Sequence, residues 1–535
     1  MKQQSFAKGF AILSAAGIIT KILSLLYIPF LIAIIGDEGY GIYGAAYNVY
    51  VFIYVLANSG MPVAISKLVS ELTAVDNHKD AIRSFKIARF MMLVVGLIMS
   101  VLTIAFAHFV ADIMNFRSAA LSIMWLAPSI MITAVSSAYR GYFQGRGNMT
   151  PTAVSQIIEQ VINAIFTVIF AALFLKYGLE WACAGGTIGT LLGALCAAMF
   201  LVGYQKKKDR YKIPRVEIGV SVKRFRYKQL VNKVVNYSLP ITLCVGMQYA
   251  GTLVDIWNTK SRLLDSGFAE AKASAMFGFL VKYQQLLNAP IAITVALATA
   301  LLPAVSAAVA RRNSVEIEQK VNFAFRSCFL IALPSAVGFS VLSLPIFRLL
   351  HYGQGEYLMK YGSFILILMA IVQIQTSILQ GAGKLYTTTF FMVIGIVGKV
   401  VTNYFLIVIP EINILGAIIG SMVGFLIPII LNAILMKRTL NAGFKAGIIL
   451  KPAFSSIVMG VIVFVFHYSL SFILSFLGES YIINAILLFL SIIIGGVVYF
   501  AVLAYIKGLN KADLEIIPYK IKRFLPKQIL SMIKE

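Results

Sequence analysis

The stretch QKKKDRYKIPRVEIGVSVKRFRYKQLVNK, residues 205–233, holds eleven Lys and Arg against two acids. It lies in the middle of a 535-residue chain that is 60% hydrophobic and only 13% charged. On both sides of it, apolar runs of about 20 residues recur with little interruption, the length an α-helix needs to cross the hydrocarbon core of a bilayer. One basic segment therefore separates two membrane-embedded halves. The expected fold class is an all-α polytopic membrane protein of about fourteen transmembrane helices.

A net charge of +25 would suggest nucleic acid in a soluble protein. Here the basic residues gather in short connections between apolar runs, where they act as topology signals, and no nucleic-acid partner is expected. With a cytoplasmic N-terminus, 36 of the 46 Lys and Arg fall on the cytoplasmic side. That phase predicts an even number of spans in the cytoplasmic membrane with both termini cytoplasmic. The first apolar run follows Lys2 and Lys8 but is too long for a signal peptide, so it reads as an uncleaved span. The domain reading is an N-lobe of six spans (1–204), a basic cytoplasmic linker (205–233), a C-lobe of six spans (234–436), two further spans (437–506) and a basic cytoplasmic tail (507–535). The first two spans fall at 10–35 and 41–66, with an outer loop between them, and the fourth at 118–139.

The two halves echo one another. Phe143-Gln144-Gly145-Arg146-Gly147-Asn148 closes the fourth span and Leu379-Gln380-Gly381-Ala382-Gly383-Lys384 the tenth, 236 residues later. Glycine-rich spans follow, with Ala184-Gly185-Gly186-Thr187-Ile188-Gly189 in one half and Gly416-Ala417-Ile418-Ile419-Gly420 in the other. Met61-Pro62-Val63-Ala64 pairs with Leu302-Pro303-Ala304-Val305. Three echoes in one order point to duplication of a six-span unit. Because six is even, the copies would enter the membrane in the same orientation, as parallel pseudo-repeats around a central cavity.

Several chemistries are excluded. Gly383-Lys384-Leu385 lacks the Ser or Thr that ends a phosphate-binding loop, and no large polar segment exists to house a nucleotide domain. No carboxylates, histidines and nucleophile cluster as an enzyme site would require, so the expectation is a secondary transporter and not an enzyme. Cys183, Cys196, Cys244 and Cys328 form no CxxC pair and read as packing residues. His78, His108, His351 and His467 lack metal-ligand spacing, so no metal or other cofactor is expected.

Ionisable groups within hydrocarbon cost about 2.5–3.5 kcal/mol each on insertion scales and need a partner or a wet cavity. Lys21 lies about 18 Å along the first span at 1.5 Å per residue, and reads either as a cavity-lining cation or as a structural lysine with a partner. In the seventh and eighth spans, Lys282, Gln285 and Asn288 are cavity candidates, Asp255 is an ion-pair candidate for Lys282, and Lys260 and Arg262 read as interface anchors. Glu159 and Lys399 are candidates for coupling or charge pairing. Tyr40, Tyr43, Tyr47, Tyr50 and Tyr54 recur at steps of three and four, one face of a helix, with Asn48 nearby. Such a stripe suits a sugar path, with Tyr43, Tyr47, Tyr50 and Asn48 lining it, or a packing seam between the lobes.

Gly60-Met61-Pro62-Val63-Ala64-Ile65-Ser66-Lys67-Leu68-Val69-Ser70-Glu71 and Ile35-Gly36-Asp37-Glu38-Gly39-Tyr40-Gly41-Ile42-Tyr43 resemble segments of the stage V sporulation protein B family. Phe143 through Thr152 adds a third. That family stands with the MurJ-like lipid II flippases and polysaccharide exporters of the multidrug/oligosaccharidyl-lipid/polysaccharide superfamily. The resemblance covers essentially the whole chain. It implies two lobes around a V-shaped cavity, and movement of an undecaprenyl-pyrophosphate-linked wall precursor, lipid II first among them, from inner to outer leaflet by alternating access. It further implies that Lys21 and Lys282 resemble cavity cations of the first and eighth helices, while the second helix departs by carrying tyrosines where MurJ-like proteins carry a cation. The implied partners are a lipid-linked saccharide, membrane lipids and wall-synthesis enzymes, with Na⁺, H⁺ or membrane potential as candidate driving forces. Two other readings stay open, a cation-coupled multidrug exporter of the same superfamily and a non-transporting scaffold for wall synthesis.

Overall fold

The computed structural model describes residues 6–207, 224–311, 313–441, 447–475 and 481–508, and among these the regular elements are helices. Most of the linker 205–233 and of the tail 507–535, and the side chain of Cys244, lie outside the described residues. The chain divides into two compact units, Met1–Val281 and Lys282–Glu535. The first holds α1 (Phe6–Asn58), α2 (Gly60–Ala74), α3 (His78–Ile113), α4 (Ala120–Gly145), α5 (Thr150–Phe174), α6 (Leu179–Lys207), α7 (Tyr227–Asp265) and the start of α8 (Glu270–Ala310). The second holds the rest of α8, then α9 (Ser314–Val341), α10 (Ser343–Leu349), α11 (Glu356–Gly362), α12 (Ile365–Gly381), α13 (Leu385–Leu406), α14 (Leu415–Leu440), α15 (Gly447–Ser475) and α16 (Tyr481–Tyr505).

This is a multi-pass membrane protein. Among the described residues, eleven helices are long and apolar enough to cross a bilayer, or twelve if the bent pair α11 and α12 forms one span. Fourteen is not reached on that count, in which Ala15–Ala74 enters as one 60-residue element. At 1.5 Å per residue the 53 residues of α1 would run about 80 Å, well beyond one bilayer, and the break that divides it is a single residue. Gly36 takes φ 68° and ψ −177°, a conformation that glycine alone adopts readily. The outer loop expected between the first two spans is thus reduced to one hinge. The residues assigned to it are helical, and beside them Gly41 and Gly278, which lack side chains, let α1 and the start of α8 approach backbone to backbone.

That close approach also explains where the units divide. The sequence places the boundary at the basic linker, yet α7 and the first turns of α8 pack into the first unit. Leu230 and Val234 of α7 join a core with Leu68, Val69, Phe85 and Tyr142. The Gly60 N–H donates to Thr242 Oγ1 at 3.2 Å, and the buried Asp80 carboxylate accepts from the Phe225 N–H at 2.8 Å. A charged linker marks a topological event, whereas contacts decide which helices form a compact body.

The duplication is visible within each unit taken by itself. Gly185, Gly189 and Gly193 of α6 press on the α5 backbone, as small residues at every fourth position do in membrane helix pairs. A Cβ on Gly189 would stand 2.5 Å from Thr167 N and 2.6 Å from Asn163 O. In the second unit Gly416, Gly420 and Gly424 of α14 press on α13 in the same way, Gly420 against Asn403 and Lys399, Gly424 against Lys399 and Gly395. Through the 236-residue offset, Glu159, Asn163 and Thr167 correspond to Gly395, Lys399 and Asn403. The two copies keep the packing, while the charged position differs, Glu159 in one and Lys399 in the other.

The helices beyond the duplication, α15 and α16, pack on α9 through Leu342, Met459, Val463, Leu488, Tyr499 and Leu503. The Tyr499 hydroxyl donates to Leu330 O at 3.2 Å.

Candidate functional site

Two polar constellations lie inside these apolar bundles, one in each unit. In the first unit the tyrosines of α1 form a continuous ladder. Ring centroids from Tyr40 through Tyr43, Tyr47 and Tyr50 to Tyr54 stand 6.3, 5.9, 5.6 and 5.9 Å apart. The one-sided stripe expected from its spacing is present, but it is a seam between helices. Tyr43 and Tyr50 are buried, 4% and 5% exposed, so neither lines an open sugar path in this structure. The Tyr43 ring lies against the bare Cα of Gly186 in α6, Tyr50 faces the hydroxyls of Ser129 and Thr133 in α4, and Tyr54 faces Ser137. Tyr47 and Asn48 are half-buried. A tyrosine seam forms because each ring packs as a hydrophobe while its hydroxyl needs a polar neighbour, and α4 supplies serines and threonines at helical spacing.

At one end of this seam stands a residue the sequence reading missed. Arg140 of α4 donates from Nη2 to Glu159 Oε2 at 2.6 Å and from Nε to Ser155 Oγ at 3.0 Å. Its side chain is 10% exposed and that of Glu159 27%. In this structure Glu159 is thus ion-paired with Arg140. The fourth span expected at 118–139 stops one residue short of Arg140. The available signal was the apolar sequence resuming at Gly141-Tyr142-Phe143, which α4 includes before ending at Gly145. One turn further along α5, Asn163 Oδ1 accepts from Thr167 Oγ1 at 3.0 Å and from Thr190 Oγ1 of α6 at 3.1 Å. A buried polar row thus runs down α5, satisfied side chain by side chain.

Lys21 lies in the N-terminal half of α1, exposed, flanked by the exposed Ile18 and Ile22. It has no ion-pair partner among the described residues. Asp255, in the first unit, is buried at 5% exposure.

In the second unit Lys282 is 0% exposed, and its ammonium donates to the carbonyl oxygens of Tyr352 and, at 3.4 Å, Gln354. One residue on, the Tyr283 hydroxyl donates to Gly362 O at 2.7 Å. The expectation of Lys282 as an open cavity cation is corrected here. A buried ammonium must be satisfied by nearby oxygens, and this one supplies donors to the turn between α10 and α11, whose His351, Gly353 and Gly355 have positive φ. Gln285 and Asn288 are half-buried further along α8, and Lys399 is half-buried in α13. Lys260, expected at an interface, is instead 2% exposed, bonded to Glu270 at 3.2 Å and lying 3.9 Å over the Phe116 ring. Among the described residues no three His, Cys, Asp or Glu side chains come together as a metal site.

The family described as polysaccharide biosynthesis protein matches residues 6–309, more than half of the chain. The chain belongs to that family. Among curated relatives of this family member, stage V sporulation protein B of Bacillus subtilis (strain 168) is 29% identical over 452 residues, 83% of this chain and 86% of that protein. Lipid II flippase MurJ of the same organism is 26% identical over 522 residues, 92% of this chain and 94% of that protein. Among solved structures, lipid II flippase MurJ in an inward closed conformation superposes with a TM-score of 0.65 at 16% identity, covering 93% of this chain and 98% of that one. An inward-facing multidrug resistance MATE family transporter of the MOP superfamily gives 0.62 at 16% identity, covering 79% of this chain and 94% of that one. These structures share the fold, and the relatives named for an activity are a flippase and transporters, not enzymes.

Proposed function

We propose that this protein is a flippase that carries an undecaprenyl-pyrophosphate-linked cell-wall precursor, lipid II in the first instance, from the inner to the outer leaflet by alternating access. The observation that carries the reading is Lys21, an exposed cation within an apolar membrane helix and without an ion-pair partner among the described residues. A charge so placed is costly against lipid tails and stable against water or an anionic ligand. A pyrophosphate is such an anion, and moving it through hydrocarbon unaided would strand its charge. The full-length similarity to a lipid II flippase supports the same class of cargo. Half-buried Tyr47, Asn48, Gln285 and Asn288 supply hydroxyl and amide groups suited to sugar hydroxyls.

In this reading Lys282 positions the turn after α10 and does not touch pyrophosphate. Both termini are cytoplasmic, in line with the distribution of Lys and Arg. The test is flipping of lipid II in vesicles reconstituted with the full chain, under imposed Na⁺, H⁺ or voltage gradients. Lys21→Ala lowers outward movement at least tenfold while the protein stays folded. Transport unchanged by Lys21→Ala rejects the role of Lys21. Ion-driven drug efflux without lipid II movement identifies a multidrug exporter instead.

A further inference from the structure

The C-terminal helix pair carries a pocket that the flippase reading does not use. Its polar lining is Arg348 of α10, His467, Tyr468 and Ser471 of α15, and Tyr481 and Asn484 of α16, and among the described residues no carboxylate lines it. The Arg348 side chain is exposed and has no ion-pair partner among the described residues.

The protons can be followed one by one. Ser491 Oγ donates to Leu487 O at 2.7 Å, so its contact with His467 Nδ1 at 2.9 Å has the serine as acceptor. Nδ1 therefore carries the proton, and in the neutral ring Nε2 is a bare acceptor. His467 is 5% exposed and lines the pocket, with no hydrogen bond to Nε2 among the described residues. The Tyr468 and Tyr481 hydroxyl protons are already spent on backbone carbonyls, Val341 O at 3.3 Å and Leu349 O at 2.9 Å. Beside the Ser471 hydroxyl and the Asn484 amide, the pocket is lined by one guanidinium seeking anionic oxygens and one imidazole whose Nε2 seeks a hydroxyl proton.

A monoprotonated phosphate monoester offers both groups on one phosphorus, and a phosphodiester offers only the first. The surroundings say what the phosphate is attached to. Val461, Phe464 and Val465 of α15 are 58%, 53% and 56% exposed, and Ile482, Ile486 and Phe489 of α16 are 68%, 54% and 58% exposed. These rows belong to helices of bilayer-crossing length and composition, so they meet acyl chains. His467 lies eight residues before the end of α15, about 12 Å along the helix, within reach of the headgroup region.

We propose that this pocket binds the headgroup of a phosphomonoester lipid, with its anionic oxygens on Arg348, its P–OH on His467 Nε2 and its chains along α15 and α16. The site needs neither Lys21 nor transport, so it stands or falls separately from the flippase reading.

The test is native mass spectrometry of the full chain with dioleoyl phosphatidic acid, phosphatidylglycerol or phosphatidylcholine. Phosphatidic acid binds at least tenfold more tightly than either diester lipid. Arg348→Gln and His467→Asn each weaken it about tenfold, the loss of one charge-assisted hydrogen bond. His467→Asn keeps a donor to Ser491, so the α15–α16 contact survives. Equal binding of phosphatidic acid and phosphatidylglycerol, which wild-type protein alone can show, overturns the proposal, as does binding unaffected in both folded variants. Displacement of the lipid by an equal concentration of inorganic phosphate reassigns the pocket to free phosphate.

Discussion

Replacing Glu159 with Gln leaves Arg140 bonded but without its counter-charge. The pair meets at 2.6 Å, and its charge centres lie about 4 Å apart, which in an effective dielectric near 20 corresponds to about 4 kcal/mol. Glu159 is 27% exposed, so water recovers part of that, and Gln keeps a hydrogen bond to the guanidinium, which is only 10% exposed. The expected loss is about 2–3 kcal/mol, or a fall in Tm of about 3–5 °C for a body of this size. Thermal unfolding of purified protein in detergent reads it directly. The double variant Arg140→Gln with Glu159→Gln removes both charges and should recover most of the loss, giving a coupling energy of about 2 kcal/mol. If the two substitutions simply add, the pair is not an interacting unit and the description of the seam's end is wrong.

Lys282→Met keeps the side-chain volume but leaves the Tyr352 and Gln354 carbonyls without their donor, so unfolding should come about 2–4 kcal/mol earlier. An unchanged transition would restore Lys282 as a candidate for cargo binding. Lys21→Ala should leave Tm within about 2 °C of wild type, since no partner is lost among the described residues, while lipid II flipping collapses. Gly189→Ala drives a Cβ to 2.5 Å from Thr167 N, for a loss of about 1–3 kcal/mol, whereas Gly203→Ala meets nothing within 4 Å and should cost nothing. Equal effects at the two glycines, measured by the same unfolding assay, would refute the packing described for α5 and α6.

Much of this protein is legible in its sequence. Apolar runs of membrane length announce helices because backbone hydrogen bonds must close within each segment when no water is present. The order of three echoes, two of them glycine-containing, pointed to a duplicated unit, because a helix pair that packs backbone to backbone keeps small residues at the crossing wherever it is copied. The steps of three and four between tyrosines placed all five rings on one face, since helical periodicity is a local property.

Direction was another matter. The sequence could say that Tyr43, Tyr47 and Tyr50 share a face, and only packing against α4 and α6 decided that the face is a seam. Arg140 falls just outside the span expected at 118–139, because the cost of a charge is visible locally while its compensation comes from Glu159 and Ser155, nineteen and fifteen residues away. Lys282 looked like a cation awaiting a ligand until the fold brought Tyr352 and Gln354, some seventy residues on, to its ammonium. The compact units divide at Val281, inside α8, and not at the basic linker, because a run of like charge sets only the side of the membrane on which it stays. Membrane class, repeat and helical faces are properties of neighbouring residues along the chain, so the sequence determined them alone. Which charges are satisfied and which face is covered depends on residues distant in sequence, and only the tertiary structure brings those together.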